Sequence, residues 1–140
     1  MLVRYSGLCC SREVVADGVN SKSVAVLVVD NDPHMLAVLR RLARRLPVLL
    51  CCATSPGEAL EMLKVLPAMV VLSAYRMPQI DGLAFLRLVR QRYGAHVKCV
   101  LHTGVPQEAL AAGCDVPVFT KPISEEAFRQ LVSDAISDER

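Results

Sequence analysis

The sequence contains no tryptophan and few other aromatic residues, with three Tyr and three Phe among 140 residues. Proteins that bind single-stranded nucleic acid stack bases on aromatic side chains, and contacts with the phosphate backbone require a strongly basic surface. The formal net charge here is only +2. We therefore expect no direct binding of nucleic acid.

Long apolar runs are also missing. A typical apolar run, from Val24 to Val29, is strand length and far short of the roughly 18 residues that a membrane-spanning helix needs. The first residues, from Met1 to Tyr5, lack the apolar block of a secretory signal. We expect a cytoplasmic protein without membrane contact.

Two kinds of ligand motif are absent as well. Neither a Gly-x-x-x-x-Gly-Lys nor a Gly-x-Gly-x-x-Gly loop follows the first apolar run, which argues against nucleotide or flavin binding. The six cysteines do not have the Cys-x-x-Cys spacing of zinc sites: Cys9, Cys10, Cys51, Cys52, Cys99 and Cys114. We interpret them as reduced thiols that act as small hydrophobic residues, with Cys51 and Cys99 in strands.

Hydrophobic residues make up 53% of the chain, which is enough for a core in one domain. Apolar segments of strand length alternate with amphipathic segments, and this alternation predicts a doubly wound α/β fold with a parallel sheet. Residues 1 to 23 show neither the helical period of 3.6 residues nor the strand period of two. They are predicted to be a flexible leader before a domain at 24 to 138. The predicted strands are Val24 to Val29, Val48 to Cys52, Ala68 to Ser73, Val97 to His102 and Val116 to Phe119.

Capping residues and a period of 3.6 predict five helices. They run from Pro33 to about Arg45, from the capping box at Ser55 to before Pro67, from Asp81 to about Tyr93, from Pro106 to Ala112, and from Ser124 through Ile136. The residues expected to face the core are Met35, Leu39, Leu42 and Leu46 in the first helix, Leu83, Leu86 and Val89 in the third, and Phe128, Leu131 and Ile136 in the last. The first helix also carries a basic face that is either solvated or a docking surface: Arg40, Arg41, Arg44 and Arg45.

The sequence from Val70 to Gly82 changes from strand to loop to helix. Three apolar residues precede Ser73-Ala74, Met77-Pro78 prevents an early helix, and Asp81 is placed to cap the next helix. In a parallel α/β sheet, ligands bind beyond the carboxyl ends of the strands. This segment is therefore expected to lie at the functional edge.

The segment resembles the phosphoacceptor region of response-regulator receiver domains. The residues that match the motif of that family at the same spacing are Tyr75, Arg76, Met77, Pro78, Asp81 and Gly82. The resemblance implies a five-stranded sheet of order 2-1-3-4-5. It also implies that Ala74 occupies the position of the aspartate that accepts a phosphoryl group, and a methyl group cannot be phosphorylated.

The other positions of the receiver site follow from the same resemblance. Asp30, Thr103 and Lys121 keep the residue types of the family, in which they serve metal binding, stabilisation of the phosphorylated form and pairing with phosphoryl oxygens. Asn31 replaces a second acidic residue beside Asp30. Val118 replaces a bulkier switch side chain, and the fourth helix is about one turn short.

These departures weaken the implied metal site. With Ala74 and Asn31 in place, we expect weak Mg²⁺ binding or none, with Asp30, Asn31 and Arg76 as the candidate ligands. Asp30 and Lys121 are expected to pair with each other. Ser73 is expected to point to the other side of the sheet and has no His in its sequence context to act as a base. Asp32 could in principle accept phosphate, but neither residue is expected to replace the missing acceptor.

The resemblance implies a role in two-component signal transduction. We expect a non-catalytic module without a cofactor. Its implied partners are a histidine kinase or phosphotransfer protein, or a second copy bound through the face of the fourth helix, fifth strand and fifth helix. The alternative is a phosphohydrolase similar to haloacid dehalogenases, which would use Asp30 and Asp32.

Overall fold

A computed structural model describes residues 2–3, 14–15 and 24–138. Its central feature is a parallel sheet of five strands: β1 (Val24–Val29), β2 (Val48–Ala53), β3 (Val70–Ala74), β4 (Lys98–Thr103) and β5 (Val118–Thr120). The strands lie in the order β2-β1-β3-β4-β5, which confirms the predicted order 2-1-3-4-5.

Three strands begin later than predicted. The third was predicted from Ala68, but its ladder with β1 starts at the pair Val26 and Val70. The fifth was predicted from Val116, but Pro117 has no N–H to donate to a ladder, and β5 begins at Val118. The fourth strand is displaced by one residue, so that Thr103 is its last member.

Five helices connect the strands: α1 (Pro33–Ala43), α2 (Pro56–Leu63), α3 (Gly82–Tyr93), α4 (Pro106–Ala111) and α5 (Glu125–Asp138). The predicted caps are confirmed. The side chains of Ser55, Asp81 and Ser124 accept hydrogen bonds from the backbone N–H groups of Glu58, Ala84 and Ala127, at 3.2, 2.8 and 3.0 Å. Gly94 ends α3 with φ 83°.

The helices cover both faces of the sheet and form two cores. Helices α2, α3 and α4 pack on one face, and α1 and α5 pack on the other. Because helices cover both faces of the sheet, its strands can be apolar throughout. Every residue of β2 and β3 is buried. Cys51, Cys52 and Cys99 are buried in these cores, and Cys51 and Cys99 lie in strands, as predicted.

Two helices bury a different set of residues from the predicted one. In α1, Leu36, Leu39 and Ala43 are buried, whereas Met35 and Leu42 are only half-buried. The spacing of three and four residues from Leu36 to Ala43 fixes the centre of the buried face, and Met35 and Leu42 flank it. In α5, Ile136 is 44% exposed, and the innermost positions belong to Phe128, Leu131, Val132 and Ala135.

The predicted leader lies mostly outside the described residues. Within the leader, Leu2–Val3 and Val14–Val15 pair as two short antiparallel strands. The sequence analysis predicted no strand there. Among the described helices, none has the length and apolar character needed to cross a bilayer.

Candidate functional site

The parallel strands bring the predicted site residues to one edge of the sheet. Asp30 directly follows β1, Ala74 ends β3, Thr103 ends β4, and Lys121 directly follows β5. Strand pairing keeps them in register, with Ala74 opposite His102 and Thr103 opposite Thr120. We call this the carboxyl edge.

Asp30 is the buried acidic group of the carboxyl edge, with a residue exposure of 1%. Its Oδ1 accepts a hydrogen bond from the Asp32 N–H at 2.9 Å, and its Oδ2 lies 2.8 Å from the Nζ of Lys121. The predicted ion pair is therefore present. Among the described residues, Oδ2 has no hydrogen-bond partner, so its contact with Lys121 is an ion pair.

The next two residues lie at the rim of the carboxyl edge. Asn31 and Asp32 are both exposed. The Oδ1 of Asp32 accepts from the His34 N–H at 3.0 Å and so caps α1. Asp32 therefore stabilises a helix, whereas a phosphohydrolase of the alternative kind would need it beside Asp30 as an active-site acid.

Ala74 is buried at the point where the chain leaves the sheet. The Gly82 N–H donates to the carbonyl of Tyr75 at 2.6 Å, which closes the loop of residues 75–82. A Cβ atom on Gly82 would lie 1.9 Å from the carbonyl oxygen of Ala74, so the close approach of the backbones requires glycine. The neighbouring Ser73 hydroxyl is buried and donates to the Ala74 carbonyl at 2.9 Å.

Thr103 connects the carboxyl edge to α4 and β5. Its Oγ1 accepts from the N–H of Val105, the residue that precedes α4, at 3.1 Å, and its carbonyl accepts from the Lys121 N–H at 2.9 Å. Val118, the candidate switch position, is half-buried and packs against the core that α4 covers. The structure therefore brings Asp30, Ala74, Thr103 and Lys121 together, and leaves Asn31 and Asp32 exposed at the rim.

Sequence reasoning missed His102, which is buried beside this site with an exposure of 1%. Its Nε2 accepts a hydrogen bond from the Ile123 N–H at 3.0 Å, two residues after Lys121. Burial and, less strongly, the charge of Lys121 lower the pKa of His102 from 6.5 to about 4, while the charge of Asp30 opposes this shift. A neutral histidine thus supports the segment that carries Lys121.

Sequence reasoning also missed an ion pair next to Ala74. The Nε of Arg76 donates to Oε1 of Glu108 at 2.8 Å, and its Nη2 contacts Oε2 of the same carboxylate. The hydrogen bond with Arg76 lowers the pKa of Glu108, and the same bond raises the pKa of Arg76. The two residues are 32 positions apart, so only the fold could reveal their contact.

The residues present do not fit a magnesium site. Mg²⁺ requires near-octahedral oxygen ligands, usually from more than one carboxylate together with water. Of the residues that the structure describes, Asp30 supplies the one buried carboxylate, and its Oδ2 faces the ammonium of Lys121, which repels a cation. Ala74 contributes no oxygen from its side chain, and the Arg76 side chain is itself a cation. Among the described residues, no group of three His, Cys, Asp or Glu side chains could hold a metal ion.

Known proteins resemble this chain in sequence and in fold. The hydrogenase transcriptional regulatory protein HoxA of Cupriavidus necator is 35% identical over 95 residues, which cover 67% of this chain and 19% of that protein. The chain thus spans about a fifth of the length of this curated relative.

Two solved structures share the fold at higher coverage. The signal receiver domain of an HD domain-containing protein from Pseudomonas fluorescens Pf-5 has a TM-score of 0.75 at 26% identity, over 84% of this chain and 89% of that one. An uncharacterized protein from Neptuniibacter caesariensis has a TM-score of 0.71 at 29% identity, over 82% and 88% of the two chains.

The family model of the response regulator receiver domain matches residues 26–133. The match begins within β1, includes the other four strands and contains the four residues gathered at the carboxyl edge. The chain belongs to the response regulator receiver domain family.

Proposed function

We propose that this protein is a pseudo-receiver, a receiver domain that signals through protein contacts and is not phosphorylated at the usual position. The observation that carries the proposal is Ala74, which ends β3 between Asp30 and Thr103 at the carboxyl edge. The surrounding framework is retained, but the side chain that would attack a phosphoryl group is absent.

The electrostatics of the carboxyl edge support the same proposal. An acceptor aspartate would add a second negative charge beside Asp30 and compete for Lys121. With Ala74 in its place, Lys121 and Asp30 neutralise each other across 2.8 Å. We propose that the site works without Mg²⁺ or another cofactor, because this neutral pair replaces the cluster of carboxylates that a cation needs.

A phosphoryl donor tests the proposal directly. After incubation with Mg²⁺ and acetyl phosphate, the intact mass of the protein should remain unchanged, because Ser73 is buried and bonded to the backbone and Asp32 caps α1. A phosphorylatable receiver domain serves as the positive control for the reagent. An added phosphoryl mass on this chain would contradict the proposal.

The phosphohydrolase alternative has less support. It would require Asp30 and Asp32 to act together on a bound phosphate ester, but one pairs with Lys121 and the other caps a helix. We therefore propose that the protein is not an enzyme. Release of phosphate from an aryl phosphate in step with protein concentration would favour the alternative.

The surface that we propose for binding is the α4–β5–α5 face, defined here by Val105, Leu110, Val118 and Phe119. Val105 is 39% exposed and Leu110 is 61% exposed, while Val118 and Phe119 are half-buried. Val118 and Phe119 pack against the cores on opposite faces of the sheet, and exposed apolar side chains such as Leu110 favour protein association. The partners that we propose are a second copy of the chain, or a cytoplasmic histidine kinase or phosphotransfer protein.

Replacement of Leu110 tests this face. Leu110→Asp should weaken self-association at least tenfold, because it places a charge within the apolar contact, as measured by sedimentation velocity over a concentration series. Val65→Asp is the matched control, since Val65 is 62% exposed but follows α2. Equal effects of the two substitutions, or a wild-type protein that stays monomeric at every concentration, would contradict self-association through this face.

A further inference from the structure

Helix α4 is held by few contacts of its own. It has six residues, Val105 provides no side-chain cap, and Ala109 is its one buried residue. Isolated helices this short are unstable in water, so tertiary contacts must hold α4 in place. Its exposed Leu110 belongs to the α4–β5–α5 face, so the position of α4 decides the shape of that face.

Both ends of α4 are attached to neighbouring elements. Beyond its carboxyl end, the Gly113 carbonyl accepts from the Arg87 side chain at 3.3 Å, and the Asp115 carboxylate lies 3.3 Å from a side-chain nitrogen of Arg90. At its amino end, the attachments lead to the carboxyl edge. They are the hydrogen bond from the Val105 N–H to Thr103 and the bidentate pair between Arg76 and Glu108.

Arg76 is well placed to act as an anchor. It lies two residues after Ala74, at the start of the loop that the bond from Gly82 to Tyr75 closes. Asp81 caps α3 at the other end of the same loop. The backbone that carries the guanidinium is therefore fixed, and a bidentate pair to a fixed arginine restricts its partner in both distance and orientation.

We propose that the Arg76–Glu108 pair is an ionic latch that holds the amino-terminal half of α4 against the carboxyl edge and so sets the α4–β5–α5 face without a phosphoryl group. When the latch opens, α4 pivots on its attachments to Arg87 and Arg90, and Leu110 moves relative to β5. A partner that offers its own carboxylate to Arg76 would compete with Glu108. The consequence for binding rests on the proposed function, whereas the latch itself does not.

Hydrogen exchange followed by mass spectrometry tests the latch. Glu108→Gln and Arg76→Gln each remove one charge, and we expect backbone amides of residues 109–113 to exchange about fivefold faster in both variants, the effect of one well-formed ion pair. Glu61→Gln is the matched control, because it removes the exposed pair between Glu61 and Lys64 on α2. It should leave residues 109–113 unchanged.

Charge reversal and salt separate a latch from a general loss of stability. The double variant Arg76→Glu with Glu108→Arg should return exchange at 109–113 to within about twofold of the wild type, because the pair is restored in the opposite sense. Salt at 1 M should accelerate exchange there in the wild type but not in Glu108→Gln. Unchanged exchange in both single variants, or equal acceleration in the central strand β1, would overturn the proposal.

The same variants distinguish the latch from the proposed binding face. Faster exchange together with altered self-association supports both ideas. Faster exchange with unchanged association and unchanged partner binding supports the latch and counts against the α4–β5–α5 face. If exchange does not change, the latch is wrong, whatever the association measurement shows.

Discussion

Substitution of Ala74 and Asn31 together by aspartate is expected to produce a protein that accepts a phosphoryl group from acetyl phosphate and is stabilised by Mg²⁺. Residue 74 ends β3 next to the point where Asp30 leaves β1, since Val29 and Ser73 are paired one residue earlier. The introduced carboxylate at position 74 would share the carboxyl edge with Asp30 and Lys121. A nucleophile and a second metal ligand would thus be restored in one step.

The two substitutions should act together. Ala74→Asp alone supplies the nucleophile, but Asn31 offers a neutral oxygen to the cation, so the charge that develops on the phosphoryl oxygens is poorly stabilised. Asn31→Asp alone supplies a ligand but no nucleophile. Because both groups would bind one ion, the double variant should be labelled far faster than the sum of the single variants predicts.

The measurements are intact mass after reaction with acetyl phosphate and thermal unfolding with and without Mg²⁺. Without metal, the double variant should be less stable than the wild type, since the new carboxylate at position 74 repels Asp30, and Mg²⁺ should restore the loss. The double variant Ala74→Asn with Asn31→Asp is the control, because asparagine at position 74 is similar in size to aspartate but is not a nucleophile. If the double variant neither gains phosphate mass nor responds to Mg²⁺, the assignment of Ala74 to the acceptor position is wrong.

A fall in pH from 7 to 4 is expected to reduce the free energy of unfolding by about 3 kcal/mol through His102 alone. Burial lowers the pKa of His102 to about 4, against 6.5 for an exposed histidine. Between these values the unfolded chain binds a proton that the folded protein does not. Stability is therefore complete above pH 6.5 and declines as pH falls towards 4.

Urea unfolding at several pH values isolates this contribution. His102→Gln keeps an oxygen that can accept from the Ile123 N–H but does not titrate, so its free energy of unfolding should fall less steeply between pH 6.5 and 4. His96→Gln is the control, because His96 is exposed and the variant should follow the wild type. Parallel curves for His102→Gln and the wild type would show that His102 does not cause the acid loss.

The sequence determined the fold class and the order of the strands. Continuous apolar runs such as Val24–Val29 indicate strands covered on both faces, and the caps at Ser55 and Asp81 mark where helices begin; all three features are present in the structure. These signals are local, because each depends on a few consecutive residues. The resemblance to receiver domains identified Asp30, Ala74, Thr103 and Lys121 as site residues, and they are neighbours because the carboxyl ends of parallel strands meet at one edge.

The residues of α1 and α5 that face the core could be predicted only in part. Helical periodicity located the buried face to within one residue, but the sheet beneath decided that Leu36 is buried and that Ile136 is 44% exposed. A period of 3.6 leaves residues on the flanks of a face that fit either side equally well. The neighbouring strand, which the period does not describe, makes the choice.

Only the tertiary structure decided the contacts that connect the site to the rest of the protein. Arg76 reaches Glu108 across 32 residues, and His102 reaches the backbone of Ile123 across 21. Neither contact has a pattern in the sequence, because a side-chain partner distant along the chain depends on how strands and helices pack. The sequence alone determined that residue 74 is an alanine, while packing decided which neutral and paired groups surround that position.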